Sequence, residues 1–134
     1  MCIRDSTGET LDAISDLGAA WVGVDAPRAD HFTIMPPVDA VTDHRLAYLR
    51  AHGRNADGYL KGRTVAERFG WEYSDEELGE IAARATELAE RAEIVNVAFN
   101  NNRGRDAPAS ARRMRELLGQ DPGPVPDEGQ LTLG

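Results

Sequence analysis

The chain has 134 residues, 41% of them apolar and 6% aromatic, a composition in the ordinary globular range. Its one cysteine, Cys2, excludes an intrachain disulfide and a thiolate metal cage, and no apolar run approaches the ~20 residues that span a bilayer as a helix. The net charge of −8 argues against an extended nucleic acid or an anionic membrane surface as partner, and nothing demands an oxidising compartment, so a cytoplasmic location is expected.

The opening MCIRDS resembles translated sequencing-adapter read-through; residues 1–6 are set aside as an extension foreign to the fold. Thr7 to Leu17 reads as the end of a helix, with Leu11, Ile14 and Leu17 on one face and Gly18 as its stop. Ala20 to Asp25 is a short buried strand. Residues 26–44, with Pro27, Pro36 and Pro37, form a connection long enough to be functional, with room for a short helix. Leu46 to His52 is the second strand, and Gly53 to Trp71 another long connection.

The helix from Asp75 to about Arg91 has the strongest local signals. Ser74 is its N-cap, Glu77 completes a capping box, and Tyr73 with Leu78 fits a hydrophobic staple. Leu78, Ile81, Ala82, Ala85, Leu88 and Ala89 recur at three- and four-residue steps as one apolar stripe. Ile94 to Asn100 is the third strand. A last helix runs from about Pro108 to Leu118, with Met114, Leu117 and Leu118 inward and Gly119 ending it. Residues 120–134 read as a disordered tail.

Strands alternating with helices imply an α/β fold with parallel pairing. A complete (β/α) barrel needs ~250 residues, so residues 7–119 read as the C-terminal part of a TIM-like (β/α) barrel, about three strands with their helices.

Several spaced blocks carry a family resemblance: R-A-H-G-R at Arg50 to Arg54, G-R-T-V-A-E-R-F at Gly62 to Phe69, Y-S-D-E-E-L at Tyr73 to Leu78, V-A-F-N-N-N at Val97 to Asn102, and A-P-A-S-A at Ala107 to Ala111. Over roughly Thr10 to Leu118 the chain resembles the C-terminal part of the domain-of-unknown-function-72 (YecE-like) family. The resemblance implies a (β/α) barrel and brings no established reaction.

Side chains alternate across a strand, so Tyr48, Arg50 and His52 share one face and Ala47, Leu49 and Ala51 the other. Asn96, Ala98 and Asn100 likewise go together, as do Trp21, Gly23 and Asp25. In parallel order Asp25, Arg50, His52 and Asn100 are expected at a common C-terminal mouth, with Arg54 and Asn101 on the loops above. Barrels do their chemistry there. The bland alternative is a structural network in which Asp25 neutralises Arg50 and the asparagines satisfy backbone groups.

His52 is the candidate general acid/base, because an ordinary imidazole titrates near neutral pH. Asp25, Arg50, Arg54, Asn100 and Asn101 are the candidate ligand-binding residues. Residues 45–70 carry a net +4 in a chain whose remainder carries −12, which suits a small anionic ligand. Arg63, Arg103 and Arg105 with Gly53 and Gly104 extend the anion reading to the loops. His31 and His44, beside Asp30 and Asp43, match no metal-ligand spacing, and no metal is assigned. The leading expectation is an enzyme acting on a small anionic or phosphorylated substrate. Two alternatives stand beside it: a non-catalytic barrel binding a nucleotide or nucleic-acid end, and a phosphodiesterase whose metal ligands lie upstream. The sequence names neither a cofactor nor an oligomeric state.

Overall fold

The computed structural model describes residues 3–29, 32–33 and 37–124. Asp30, His31 and Pro36 of the first long connection lie outside those residues, as do Cys2 and residues 125–134 of the expected tail.

Three parallel strands form the central sheet in the order β1 (Val22–Asp25), β4 (Leu46–Ala51), β5 (Ile94–Phe99). Around them run α1 (Ile3–Asp16), a two-stranded antiparallel hairpin β2 (Arg28–Ala29) and β3 (Phe32–Thr33), α2 (Ala56–Lys61), α3 (Val65–Phe69), α4 (Asp75–Ala89) and α5 (Asp106–Leu117). The α/β class and parallel pairing agree with the sequence reading. Helix α1 begins at Ile3, so residues 3–6 of the stretch set aside are helical. Two local expectations need correction. The first long connection holds a hairpin rather than a short helix, and the second folds into two short helices.

Side-chain caps build the α2–α3 connection. Thr64 Oγ1 accepts from Glu67 N and a Glu67 carboxylate oxygen accepts from Thr64 N, a second capping box. Asn55 caps α2 through Gly58 N while its amide donates to the carbonyls of Glu67 and Gly70. One side chain thus folds both helices back on each other.

Helix α4 forms as its sequence demands. Ser74 Oγ accepts from Glu77 N at 3.2 Å and Glu77 Oε2 accepts from Ser74 N at 2.9 Å. Its stripe of Leu78, Ile81, Ala82, Ala85 and Leu88 is buried against Ala47, Leu49 and Ala51 of β4, with Val95, Val97 and Phe99 of β5 packed alongside. Each of the large aliphatic side chains here contributes about 1.5–3 kcal/mol by leaving water. Ala89 is exposed, so the stripe ends one residue early. In α5 Met114 is buried, whereas Leu117 and Leu118 are exposed rather than inward. No helix among the described residues is long and apolar enough to cross a membrane.

The strand ends are locked in register. His52 N donates to Asp25 O at 2.8 Å and Asn100 N to Ala51 O at 2.7 Å, so the three chains leave the sheet at one level. The first long connection is pinned beside β1: Trp21 Nε1 donates to Val38 O at 2.8 Å, and Thr42 Oγ1 accepts from Trp21 N and donates to Ala19 O.

Candidate functional site

The two faces of the sheet carry different chemistry at its C-terminal end. Cα partners across the parallel ladder are Tyr48 with Asn96 and Arg50 with Ala98, which puts Tyr48, Arg50, His52, Asn96, Ala98 and Asn100 on the face turned away from α4. Arg50 Nε donates to Asn100 Oδ1 at 3.1 Å. Among the described residues, that asparagine is Arg50's hydrogen-bonding partner, and no carboxylate pairs with it.

Asp25 corrects the expected convergence. Its Cα partner is Ala51, and that of Val24 is Arg50, so Asp25 faces the helix layer and Val22 and Val24 take the open face. The physical reason is close packing. A Cβ on Gly23 would stand 2.8 Å from Leu49 Cδ2 and 2.9 Å from Asp39 Oδ1, so the strand turns its smallest residue to the helix side. Asp25 still ends its strand level with the others, but behind the sheet from Arg50 and not paired with it.

There Asp25, 2% exposed, organises a buried network. Arg54 grips it with a two-pronged pair, Nε to Oδ2 and Nη2 to Oδ1, both 3.0 Å. Arg54 also reaches Glu80 at 2.8 Å and Glu77 at 3.9 Å. Tyr73 donates its hydroxyl hydrogen to Asp25 Oδ2 at 2.8 Å, and the Tyr73 hydroxyl oxygen accepts from Gly53 N at 2.8 Å. Arg84 touches Asp25 at 3.4 Å and forms a two-pronged pair with Asp39 at 2.7 Å. Burial, and next the charge of Asp25, push the Tyr73 hydroxyl well above its usual range. Burial alone would lower Arg54, but its bonds to Asp25 and Glu80 prevail and hold it firmly charged.

Arg54 is therefore a clamp between β1 and α4 rather than a free cation at the mouth. Asn101 is likewise withdrawn: it is fully buried, and its amide donates to Trp71 O at 2.8 Å and Ser110 Oγ at 3.0 Å, joining the end of β5 to α5. Of the wider arginine cluster, Arg103 pairs with Asp106 at 3.0 Å, and Asp106 puts an acid in the first turn of α5. His44 lies exposed at the opposite end of β4 from His52.

What the structure does bring together is Arg50, His52 and Asn100, under a roof formed by α2 and α3. A hollow of about 360 Å³ lies over β1, walled by Val22, Val24, Tyr59 and Phe69. An adjoining one of about 420 Å³ lies over β5, edged by Val65, Asn100 and Asn102. Arg50, His52 and Phe69 line both. The His52 and Phe69 ring centroids are 5.8 Å apart. Partial burial and then the neighbouring charge of Arg50 lower the His52 pKa below 6.5, so its imidazole is neutral at pH 7. A further hollow of about 460 Å³ sits between α4 and α5 over the outer face of β5. It is lined mainly by alanine, valine and Met114, on the opposite face of the sheet from Arg50 and His52, so it does not share this chemistry.

Sequence reasoning missed Tyr73 and Arg84 as partners of Asp25, Asp39 as the carboxylate that pairs with Arg84, and Tyr59 and Phe69 as walls of the cleft. Tyr73 carried a signal, a tyrosine at a position that needs only an apolar group. Arg84 carried another, an arginine flanking the apolar stripe of α4. Asp39 carried none. No group of three or more His, Cys, Asp or Glu side chains gathers as a metal site among the described residues.

Comparison with known proteins places this geometry in a family. The chain is 36% identical over 114 residues to the UPF0759 protein YunF of Bacillus subtilis (strain 168), an alignment covering 82% of this chain and 40% of that protein. It superposes on the crystal structure of a DUF72 family protein (EF0366) from Enterococcus faecalis V583 with a TM-score of 0.75 at 28% identity, covering 87% of this chain and 44% of that one. A DUF72 family protein (TM1631) from Thermotoga maritima MSB8 gives 0.75 at 29% identity over 84% and 41% of the two chains. The chain thus spans less than half the length of these relatives. Residues 3–131 match the family described as Protein of unknown function DUF72, and the chain belongs to that family.

Proposed function

We propose that the chain forms the C-terminal part of a TIM-like (β/α) barrel whose mouth binds a small anionic or phosphorylated substrate. Arg50 is the anchor, Asn100 orients the bound group, and His52 moves a proton. Parallel strands with helices on one side, polar groups at their C-terminal ends, and relatives more than twice as long all favour the barrel. Asp25, Arg54 and Asn101 belong to the frame behind the site.

The carrying observation is the state of Arg50. Arg45, Arg54, Arg84, Arg103 and Arg113 are each paired with a carboxylate, whereas Arg50 is held by the neutral Asn100. A guanidinium steadied by an amide keeps its charge and its planar fork for an incoming carboxylate or phosphate. The neutral imidazole beside it can accept a proton at pH 7.

A second reading, a barrel that binds without catalysis, is favoured by one feature. The His52 ring makes no hydrogen bond among the described residues, so no carboxylate orients it as a proton relay requires. The phosphodiesterase reading gains nothing from the described residues.

Calorimetric titration with inorganic phosphate and pyrophosphate tests the site. Arg50→Gln is expected to weaken binding tenfold or more, and an unchanged affinity refutes the anchor. If binding survives in His52→Gln and no phosphoryl or acyl transfer differs between wild type and variant, the binding reading replaces the enzymatic one.

A further inference from the structure

We propose that Asp25 and Tyr73 are positioning residues for the candidate site: from behind the sheet they hold the turn His52–Arg54 and so set where the His52 imidazole stands beside Arg50. This deepens the reading above and rests on its assignment of His52. Strand β4 ends at Ala51, and each of the three residues that follow is tied to Asp25. His52 N donates to Asp25 O at 2.8 Å. Gly53 N donates to the Tyr73 hydroxyl, which donates in turn to Asp25 Oδ2. Arg54 completes the series with its two-pronged pair on the Asp25 carboxylate.

These bonds fix His52 on both sides of its Cα. The one from its own N–H restrains φ and the one from the next N–H restrains ψ, so the direction of the Cα–Cβ bond is set and only the side-chain torsions remain. Gly53 offers no slack in exchange: its φ is +89°, and Trp71 closes the space a Cβ would need. On the other flank Asn100 N donates to Ala51 O at 2.7 Å, which ties the residue before the turn to β5. The His52 ring makes no hydrogen bond among the described residues, so this backbone, with Phe69 at 5.8 Å, is what aims it.

Apolar packing could close this layer at a lower desolvation cost. Instead the turn stands on a tyrosine hydroxyl and a carboxylate 2% exposed, whose burial Arg54 and Arg84 must offset. A buried polar network with its bonds made specifies one geometry rather than adding much stability. Such precision matters where a group transfers a proton, because a misplacement of about 1 Å can cost about a hundredfold in rate.

Amide hydrogen exchange and histidine NMR on the full chain test the inference. In wild type the His52 and Gly53 amides should exchange as slowly as the slowest amides of β4 and β5. Tyr73→Phe and Asp25→Asn should each raise the His52 pKa towards 6.5, because a ring no longer aimed swings away from Arg50 and into water. Leu88→Ala is the control for lost stability: it removes buried surface at the far end of α4 and should leave the His52 ring signals and pKa as in wild type. A His52 or Gly53 amide that exchanges in wild type as fast as a solvated loop overturns the inference, even if no variant folds. So does a His52 pKa unmoved in Tyr73→Phe, or one that Leu88→Ala moves equally; binding of inorganic phosphate to wild type would then leave the anion site standing. Absence of that binding overturns the anion reading and, with it, the functional role of the turn, whatever the amides show.

Discussion

Tyr73→Phe isolates the buried network, because it removes one oxygen and leaves the ring packed edge-on at 5.9 Å from Phe99. The lost hydroxyl donates to the Asp25 carboxylate and accepts from Gly53 N, each at 2.8 Å. A hydrogen bond to a charged group contributes about 1.5–3 kcal/mol, and a buried N–H left without an acceptor costs about 1–3 kcal/mol. Phenylalanine regains part of this by having no hydroxyl to desolvate, so the expected loss is about 3 kcal/mol. For a chain of this size that lowers Tm by roughly 10 °C. Urea unfolding followed by circular dichroism measures it, and a cycle with Asp25→Asn should show coupling of about 1 kcal/mol or more. A loss below about 1 kcal/mol, or strict additivity with Asp25→Asn, would refute the claim that this hydroxyl bridges the two groups. The alkaline limb gives an independent check. The folded-state pKa of Tyr73 lies above the unfolded value of 10.0, so the folded protein retains a proton that the unfolded chain gives up. Wild type should therefore lose stability relative to Tyr73→Phe as pH rises past 10.

His52 is expected to titrate below 6.5 by proton NMR, because burial and then Arg50 disfavour its charged form. The unfolded chain binds that proton first, so stability should fall as pH drops through 6.5 towards the folded pKa, and His52→Gln should flatten this part of the profile; a measured pKa above 6.5 contradicts the site's electrostatics. Gly53→Ala is expected to cost about 2–4 kcal/mol in chemical unfolding. Its φ is +89° and a Cβ would stand 2.7 Å from Trp71 Cβ, so strain and collision add. A variant as stable as wild type would mean that the turn above β4 relaxes freely.

Legibility followed the range of the interactions. The α4 capping box, its stripe and the pairing of Arg50, His52 and Asn100 on one face rest on contacts within four residues or on strand alternation, and each was readable. Trp21, Gly23 and Asp25 were rightly read as sharing a face, but which face was misjudged. The strand Val22–Asp25 alternates two valines with a glycine and an aspartate, and it buries the glycine and aspartate face, so hydrophobicity points to the wrong side as core. Register across the ladder decides it, and one residue of shift reverses every side chain. Arg54 looked like a free loop cation because its partners Asp25 and Glu80 lie 29 residues before it and 26 after it. Asn101 looked available for the same reason: Trp71 and Ser110 enclose it from other segments.

The sequence by itself determined the three sheet strands, the helices α1, α4 and α5, their alternation and the polar character of the strand ends, because caps, stripes and β-alternation are settled by neighbours along the chain. Only the tertiary structure decided which charges are neutralised. An ion pair depends on where two distant segments meet, and a buried carboxylate such as Asp25 gathers whichever cations the packing presents. That selection left Arg50 with an asparagine and gave Arg54 and Arg84 to the frame.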